Sequence, residues 1–137
     1  MGTIRKLEDI EAWKLSRALN SDIIVYLNRI KSFQDYALYN QMNRSCGSIM
    51  DNIAESFGRG GNKEFIQFLS YSKGSAEELK SQLYRAFDRK YLTPDEFENL
   101  FKQLNTIALK IGAFMSYLKK CELRGVNFFD QAGSQNN

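Results

Sequence analysis

The chain has 137 residues, 43% of them hydrophobic, and a formal net charge of +3. This length is typical of a single domain that buries its core without disulfides or structural metals, and the mild positive charge permits an anionic partner without requiring one. The sequence contains no histidine, which excludes Ser-His-Asp and Cys-His catalysis and the histidine ligands of di-iron helix bundles.

Cysteine usage and hydropathy indicate a cytoplasmic protein. Cys46 and Cys121 are the only cysteines, and their wide separation fits neither a disulfide scaffold nor a metal-ligand pair. The N-terminal sequence MGTIRKLEDI has no apolar signal-peptide core. The longest apolar run, residues 23–27, is far shorter than the ~20 residues of a membrane span. We therefore expect reduced thiols, no metal, no cofactor and no membrane partner.

The first periodic segment runs from about residue 10 to residue 30. Its apolar residues recur every three or four positions, which predicts an amphipathic helix, and Trp13 and Ile24 widen the apolar face. A break follows at residues 31–35, where Ser32 or Asp35 is expected to cap the next helix. The stripe consists of Ala12, Leu15, Leu19, Ile23, Tyr26 and Ile30.

The second segment ends in the glycine-rich sequence GRGG. We expect Gly58 to adopt the left-handed conformation that ends this helix. Gly60 and Gly61 then reverse the chain, and Asn62 caps the third helix, which places Glu64 in its first turn. The apolar stripe of the second segment consists of Tyr39, Met42, Cys46, Ile49, Ile53 and Phe57.

The same turn invites comparison with phosphate-binding loops. GRGG matches neither the Walker pattern G-x-x-x-x-G-K-[ST] nor G-x-G-x-x-G after a strand. A helix-terminating turn is therefore the simpler interpretation. It is compatible with a second one, in which Arg59, Lys63 and the free amides at the helix start bind a backbone phosphate.

The third segment has unusually small residues at its centre. Small side chains at helical spacing allow a neighbouring helix to approach closely, so we expect Gly74 and Ser75 to contact one at short range, with Ser72 and Ala76 beside them. The apolar stripe consists of Phe65, Phe68, Leu69, Ala76, Leu79, Leu83 and Phe87.

The fourth segment begins with a capping box. Thr93 is the expected N-cap, Pro94 the first helical residue and Glu96 the acidic residue three positions after the cap, and the apolar pattern then continues to about Cys121. Four amphipathic helices with short connections predict an all-α, antiparallel up-down-up-down four-helix bundle over residues 1–124. We expect a polar C-terminal tail over residues 125–137.

A line of polar residues follows one flank of the second segment: Arg44, Ser48, Asn52, Glu55 and Arg59. It is either a solvated helix face or, with Glu78 of the third segment, a partly buried network that ties helix to helix or subunit to subunit. In the second case, Glu55 pairs with Arg59 one turn on, or with Arg44 across an interface.

Residues 41–79 resemble a family of four-helix-bundle proteins encoded in intervening sequences of bacterial large-subunit ribosomal RNA genes. The family pattern runs Q-x-x-R-A-x-x-S-I-x-x-N-I-A-E-G, a short Arg-containing turn, K-E-F, F-L and G-S-x-x-E-L. The matching residues are Gln41, Arg44, Ser48, Ile49, Asn52, Ile53, Ala54, Glu55, Arg59, Lys63, Glu64, Phe65, Phe68, Leu69, Gly74, Ser75, Glu78 and Leu79.

The resemblance extends over about residues 5–122, since Trp13 also fits the family's first helix. The chain departs from the pattern at Ser45 and Ser56, where the family usually has Ala and Gly, and it lacks the usual Pro after Phe33. The resemblance implies a ring-shaped homopentamer without an established enzymatic activity. Distantly similar bundle proteins assist retroelement reverse transcriptases and bind nucleic acid through a basic surface, which is a fold-level analogy.

Three classes of function follow. The wide apolar faces favour an assembly module whose ring presents a surface to another protein. The excess of basic residues in the third segment supports an adaptor for RNA or DNA, with binding residues Arg59, Lys63, Lys73 and Lys80. An enzyme would have to rely on Glu55, Glu78 and Arg44, which are more economically structural, so we assign no catalytic residue.

Overall fold

The computed structural model of the chain describes residues 4–128. Its four long helices are α1 (Glu11–Ser32), α2 (Tyr36–Arg59), α3 (Asn62–Asp88) and α4 (Pro94–Leu123), preceded by one 3₁₀ turn, Leu7–Asp9. Each helix packs against its neighbours in chain order, and α1 closes the bundle against α4. The predicted all-α, antiparallel up-down-up-down four-helix bundle is confirmed.

One apolar stripe from each helix meets in a continuous core. The predicted stripes of α2, α3 and α4 supply most of it. In α1 the buried face is turned slightly from the predicted one: Leu15 and Tyr26 are only partly buried, whereas Ser16 and Leu27 are buried. The side chains of the core include Leu19, Ile23, Met42, Ile49, Ile53, Phe65, Leu69, Leu79, Leu83, Leu100, Leu104, Ile107, Ile111 and Leu118.

Two of the four long helices, α2 and α4, begin with side-chain caps. The Thr93 hydroxyl accepts a hydrogen bond from the Glu96 amide at 3.2 Å, and the Thr93 amide donates to Glu96 Oε1 at 2.8 Å, so the predicted capping box is present. Asp35 caps α2 by accepting from the Leu38 amide at 3.3 Å. Ser32, the alternative cap, instead lies in the last turn of α1 and donates to the Arg29 carbonyl.

The turn between α2 and α3 differs from the prediction. Gly58 lies inside α2, which continues through Arg59, and Gly60 has the left-handed backbone, with φ of +85°. The assignment of Gly58 as the helix terminator is therefore wrong by two residues. Gly61, not Asn62, is the N-cap of α3, and its backbone is extended. Glycine can adopt either the helical or the left-handed backbone conformation, so Gly58 can remain helical. The chain reverses only after Arg59, at Gly60.

Asn62 fastens the C-terminal segment to the bundle. It is 4% exposed, its Nδ2 donates to the Val126 carbonyl at 2.7 Å, and its Oδ1 accepts from the Phe128 amide at 2.9 Å. The Phe128 ring is buried against Phe65 and Phe114. The packed part of the chain therefore continues beyond the predicted boundary at residue 124. Burial of a large aromatic ring stabilises the folded state, which favours this extension. The rest of the predicted tail, residues 129–137, lies outside the described residues.

Polar contacts join the helices at the opposite end of the bundle. Arg29 of α1 forms two hydrogen bonds with Glu96 of α4, Nη1–Oε1 at 2.7 Å and Nη2–Oε2 at 2.9 Å. Asp35, at the start of α2, accepts from Arg89 at 2.7 Å and from the Tyr91 hydroxyl at 2.9 Å. The hydrogen bonds from Arg29 and from the Thr93 amide lower the pKa of Glu96 to about 2. These contacts fix both connections at this end.

Substitutions at two glycines test where α2 ends. Gly60→Ala should destabilise the protein by about 1 to 2 kcal/mol, because an L side chain strains a left-handed backbone. Gly58→Ala should be neutral or stabilising by up to about 1 kcal/mol, because Gly58 is helical and a Cβ there would meet nothing within 4 Å. Urea denaturation of the two variants gives the comparison. A loss of stability in Gly58→Ala with none in Gly60→Ala would show that α2 ends at Gly58 instead.

The Arg29–Glu96 pair predicts a pH dependence. Because the folded-state pKa of Glu96 is depressed to about 2, its contribution is complete above the unfolded pKa near 4.3 and is lost as pH falls towards 2. Glu96→Gln should therefore lower the free energy of unfolding at pH 7 and narrow its gap to wild type at pH 2. Glu98→Gln, a substitution at an exposed position two residues further along α4, is the control. A gap that is the same at both pH values would contradict the pairing.

Candidate interaction surfaces

The inner part of the predicted polar flank forms a network between α2 and α3. The Asn52 amide donates to the Ser48 carbonyl and hydroxyl at 2.8 and 2.9 Å, and the Ser75 hydroxyl donates to the Ser48 hydroxyl at 2.9 Å. Deeper in the contact, the buried Ser72 hydroxyl donates to the Ile49 carbonyl at 2.6 Å. These short side chains allow the two helix backbones to lie close together.

The outer part of the flank is a solvated face. Arg59 Nε and Nη2 lie 2.9 and 2.8 Å from Glu55 Oε1, and both side chains are about half exposed. Of the two expected partners, Arg59 and Arg44, Glu55 therefore pairs with Arg59. The Arg59 guanidinium also covers the Phe68 ring at 5.2 Å. An exposed pair one helical turn apart contributes only about 0.3 to 0.5 kcal/mol.

Arg44 and Glu78 lie apart from both of these groups and line a cleft between α2 and α3. The Ser45 hydroxyl lies 3.4 Å from Glu78 Oε2, and neither Arg44 nor Glu78 forms an ion pair within residues 4–128. The predicted polar line is therefore divided into three parts: a part-buried network of serine and asparagine side chains, an exposed ion pair and a polar cleft.

Only one of the two predicted helix-contact residues contacts another helix of the chain. Ser75 reaches Ser48, and the buried Ser72 and Ala76 lie in the same contact. Gly74 is exposed, and a Cβ there would meet nothing within 4 Å. The expected close contact of Gly74 within the chain is wrong, because position 74 lies on the outer side of α3.

The four predicted nucleic-acid-binding residues lie in two places. Arg59 and Lys63 flank the α2–α3 turn, and Lys63 lies 3.9 Å from Glu122. Lys73 and Lys80 line a groove between α3 and α4 with a volume of about 670 Å³. The Lys80 side chain is 16% exposed and lies 3.1 Å from Glu77, so it is less accessible than expected. Lys73 is exposed and forms no ion pair with residues 4–128.

A more basic stretch of sequence lies in α4. Between Asn99 and Cys121 the helix carries four lysines and no acidic residue. All four are exposed, and none forms an ion pair within the described part of the chain. The sequence carried this signal, which a count confined to the third segment missed. The lysines are Lys102, Lys110, Lys119 and Lys120.

Two apolar side chains are exposed side by side on α1. Ile24 is 53% exposed and Val25 is 61% exposed. Trp13, three turns before Ile24, is partly buried, and the Arg17 guanidinium lies 5.9 Å from its ring centroid. The predicted wide apolar face of α1 is therefore partly open to solvent.

The two cysteines are buried, and the part of the chain that the structure describes contains no cluster of metal-binding side chains. Both Cys46 and Cys121 are free and buried, and burial raises the pKa of the Cys46 thiol to about 12, which disfavours the thiolate that a nucleophile or metal ligand requires. Residues 4–128 contain no group of three or more Cys, Asp or Glu side chains placed to hold a metal ion. None of the helices in this range is long and apolar enough to cross a membrane.

The family model described as 23S rRNA-intervening sequence protein matches residues 8–113. A crystal structure of a protein with unknown function from the S23 ribosomal protein family of Bacteroides thetaiotaomicron VPI-5482 has a TM-score of 0.72 and 20% sequence identity, over 76% of this chain and 97% of that chain. At this identity the likeness concerns the fold alone. The search of curated proteins gives no match.

Two leucine substitutions distinguish the inner and outer sides of α3. Ser72→Leu should destabilise the protein by about 1 to 3 kcal/mol, because it overpacks the buried contact with α2. Gly74→Leu should leave stability unchanged or raise it by up to about 1 kcal/mol, because the site is open and leucine is the better helix former. Thermal melts of both variants measure the difference. A large loss for Gly74→Leu alone would contradict this placement.

Proposed function

The chain belongs to the family of 23S rRNA-intervening sequence proteins, and from this membership we propose that it is a non-enzymatic assembly module. In this proposal, identical bundles form a closed homo-oligomer, with five subunits preferred, and the ring presents a surface to another protein. The function rests on assembly and recognition and involves no chemistry at a reactive side chain.

The observation that carries this proposal is the adjacency of Ile24 and Val25 on the outer side of α1, each more than half exposed. A helix in a lone bundle needs one buried face. α1 already buries Leu19, Ile23 and Ile30 in the core. Additional neighbouring branched apolar residues on its solvent side are the kind of surface that a second copy of the chain covers.

A second function, an RNA-associated adaptor, is favoured by a different observation. The four lysines of α4 carry no compensating acidic residue between Asn99 and Cys121, and Lys73 lines the groove on the α3 side of the same helix. In a pentamer, five chains of +3 carry +15. Fields from identical subunits superpose, so a ring attracts a polyanion more strongly than one chain does.

One experiment on protein of known oligomeric state tests both functions. Sedimentation at micromolar concentration should show an oligomer, and Ile24→Lys should dissociate it, whereas Leu123→Lys at the exposed end of α4 should not. RNA binding is then measured against salt concentration. A stable oligomer that ignores RNA at low salt supports the assembly function, and a monomer contradicts it.

Charge reversals distinguish the basic surfaces in the same assay. If the adaptor function holds, Lys110→Glu with Lys119→Glu should weaken RNA binding and flatten its salt dependence without changing the sedimentation coefficient. Arg59→Glu with Lys63→Glu should have a smaller effect, because those residues already face Glu55 and Glu122. A larger effect at Arg59 and Lys63 would instead favour the α2–α3 turn as the binding surface.

A further inference from the structure

The exposed pair Ile24 and Val25, which we call the α1 ridge, needs a particular kind of partner surface in a ring. In a two-fold dimer, the same patch of both copies can pair with itself. A closed ring of more than two copies instead uses two different patches on every chain, because each copy contacts its two neighbours through unlike surfaces. In a ring, the α1 ridge therefore rests on another surface of the next copy.

The groove between α3 and α4 has a lining that suits the α1 ridge. Its volume is about 670 Å³, and Ala108, Gly112 and Ala113 give it small side chains on the α4 side. A helix of another molecule can approach closely over such residues. Leu109, which also lines the groove, is 74% exposed. The groove thus leaves apolar surface open to solvent, as the ridge does.

Two other clefts of the described residues are less suitable for an apolar ridge. The cleft between α2 and α3 is lined by polar and charged side chains. The cleft between α1 and α4 is smaller, about 350 Å³, and includes the polar side chains of Asn99, Lys102, Gln103 and Thr106. An apolar ridge that covered these side chains would remove them from water without supplying hydrogen bonds, which is unfavourable.

The charges beside the ridge and in the groove are opposite. Asp22 is the only charged residue between Arg17 and Arg29, and it is exposed and forms no ion pair within residues 4–128. The charged residues that line the groove are Lys73 and Lys80. Lys73 is likewise exposed and without an ion pair in that range. Docking of the ridge in the groove therefore brings a carboxylate towards an ammonium group, and such complementarity favours one partner surface over others.

One chain cannot fill its own groove. The helix α1 packs mainly against α2 and α4, whereas the groove lies between α3 and α4. Ile24 and Val25 are on the solvent side of α1, since Ile23 and Leu27 of the same helix lie in the core. The ridge that enters the groove must therefore come from a second copy.

We propose that the α1 ridge of one copy docks in the α3–α4 groove of the next copy, head to tail. Ile24 and Val25 then pack over Gly112 and Ala113, and Asp22 lies near a groove lysine. This inference rests on the homo-oligomer proposed above and adds the surface that receives α1. Each chain contributes one ridge and one groove, so a closed ring leaves neither exposed.

Two matched glycine substitutions test the groove. Gly112 lines the groove, whereas Gly74 lies on the outer side of α3; both are helical, and a Cβ at either position would meet nothing within 4 Å. Gly112→Phe should fill the groove and convert the oligomer to a monomer in sedimentation at micromolar concentration, while circular dichroism shows an intact helical fold. Gly74→Phe should sediment like the wild type. A Gly112→Phe protein as fully oligomeric as the wild type would overturn the inference.

Cross-linking identifies which surfaces meet. Val25→Cys places a thiol on the ridge and Ala113→Cys places one in the groove, while the native Cys46 and Cys121 are buried. After subunit exchange, a mixture of the two variants should give dimers with a short bismaleimide, and each variant alone should not. Self-cross-linking of Val25→Cys would overturn the inference, because α1 would then pair with α1. So would an oligomeric mixture without cross-links. A monomeric wild-type protein would instead contradict the assembly function itself.

Discussion

A buried hydrogen bond from the Ser72 hydroxyl of α3 to the Ile49 carbonyl of α2 constrains how far apart these two helices can lie. A donor on a one-carbon side chain reaches a neighbouring backbone only when the two helices lie close together. Ser48 and Ser75 preserve this spacing one turn away. Further along the pair, the same two helices enclose the polar cleft, where Ser45 and Ser81 lie beside longer polar side chains.

The ends and the sides of the bundle have different roles. At one end, Arg29 with Glu96 and Asp35 with Arg89 hold the connections between helices through ion pairs, and at the other end Asn62 holds the segment after α4. These polar groups are satisfied by one another. The sides of the bundle instead carry solvent-exposed features, namely the apolar pair on α1, the lysines of α4 and the polar cleft between α2 and α3. The functions proposed above use the sides of the bundle.

Local signals were sufficient to predict the helices, because apolar spacing and the Thr93 capping box act within a few residues. The second role of Glu96 was not predictable, since its partner Arg29 is 67 residues away in the sequence. Glycine was ambiguous for a related reason, because it suits both left-handed helix ends and close helix contacts. Only the three-dimensional structure shows that Gly58 does not end α2 and that Gly74 makes no close contact with another helix of the chain. Asn62 likewise has a capping residue's chemistry but serves a distant segment.

The burial of Cys46 gives the fold a built-in reporter of its own opening. The Cys46 thiol is buried, and its pKa of about 12 keeps it protonated in the closed state. Alkylating reagents attack thiolates. Cys46 is therefore labelled only in molecules in which the packing around its thiol has opened, and the labelling rate measures how often this part of the core opens within the native ensemble.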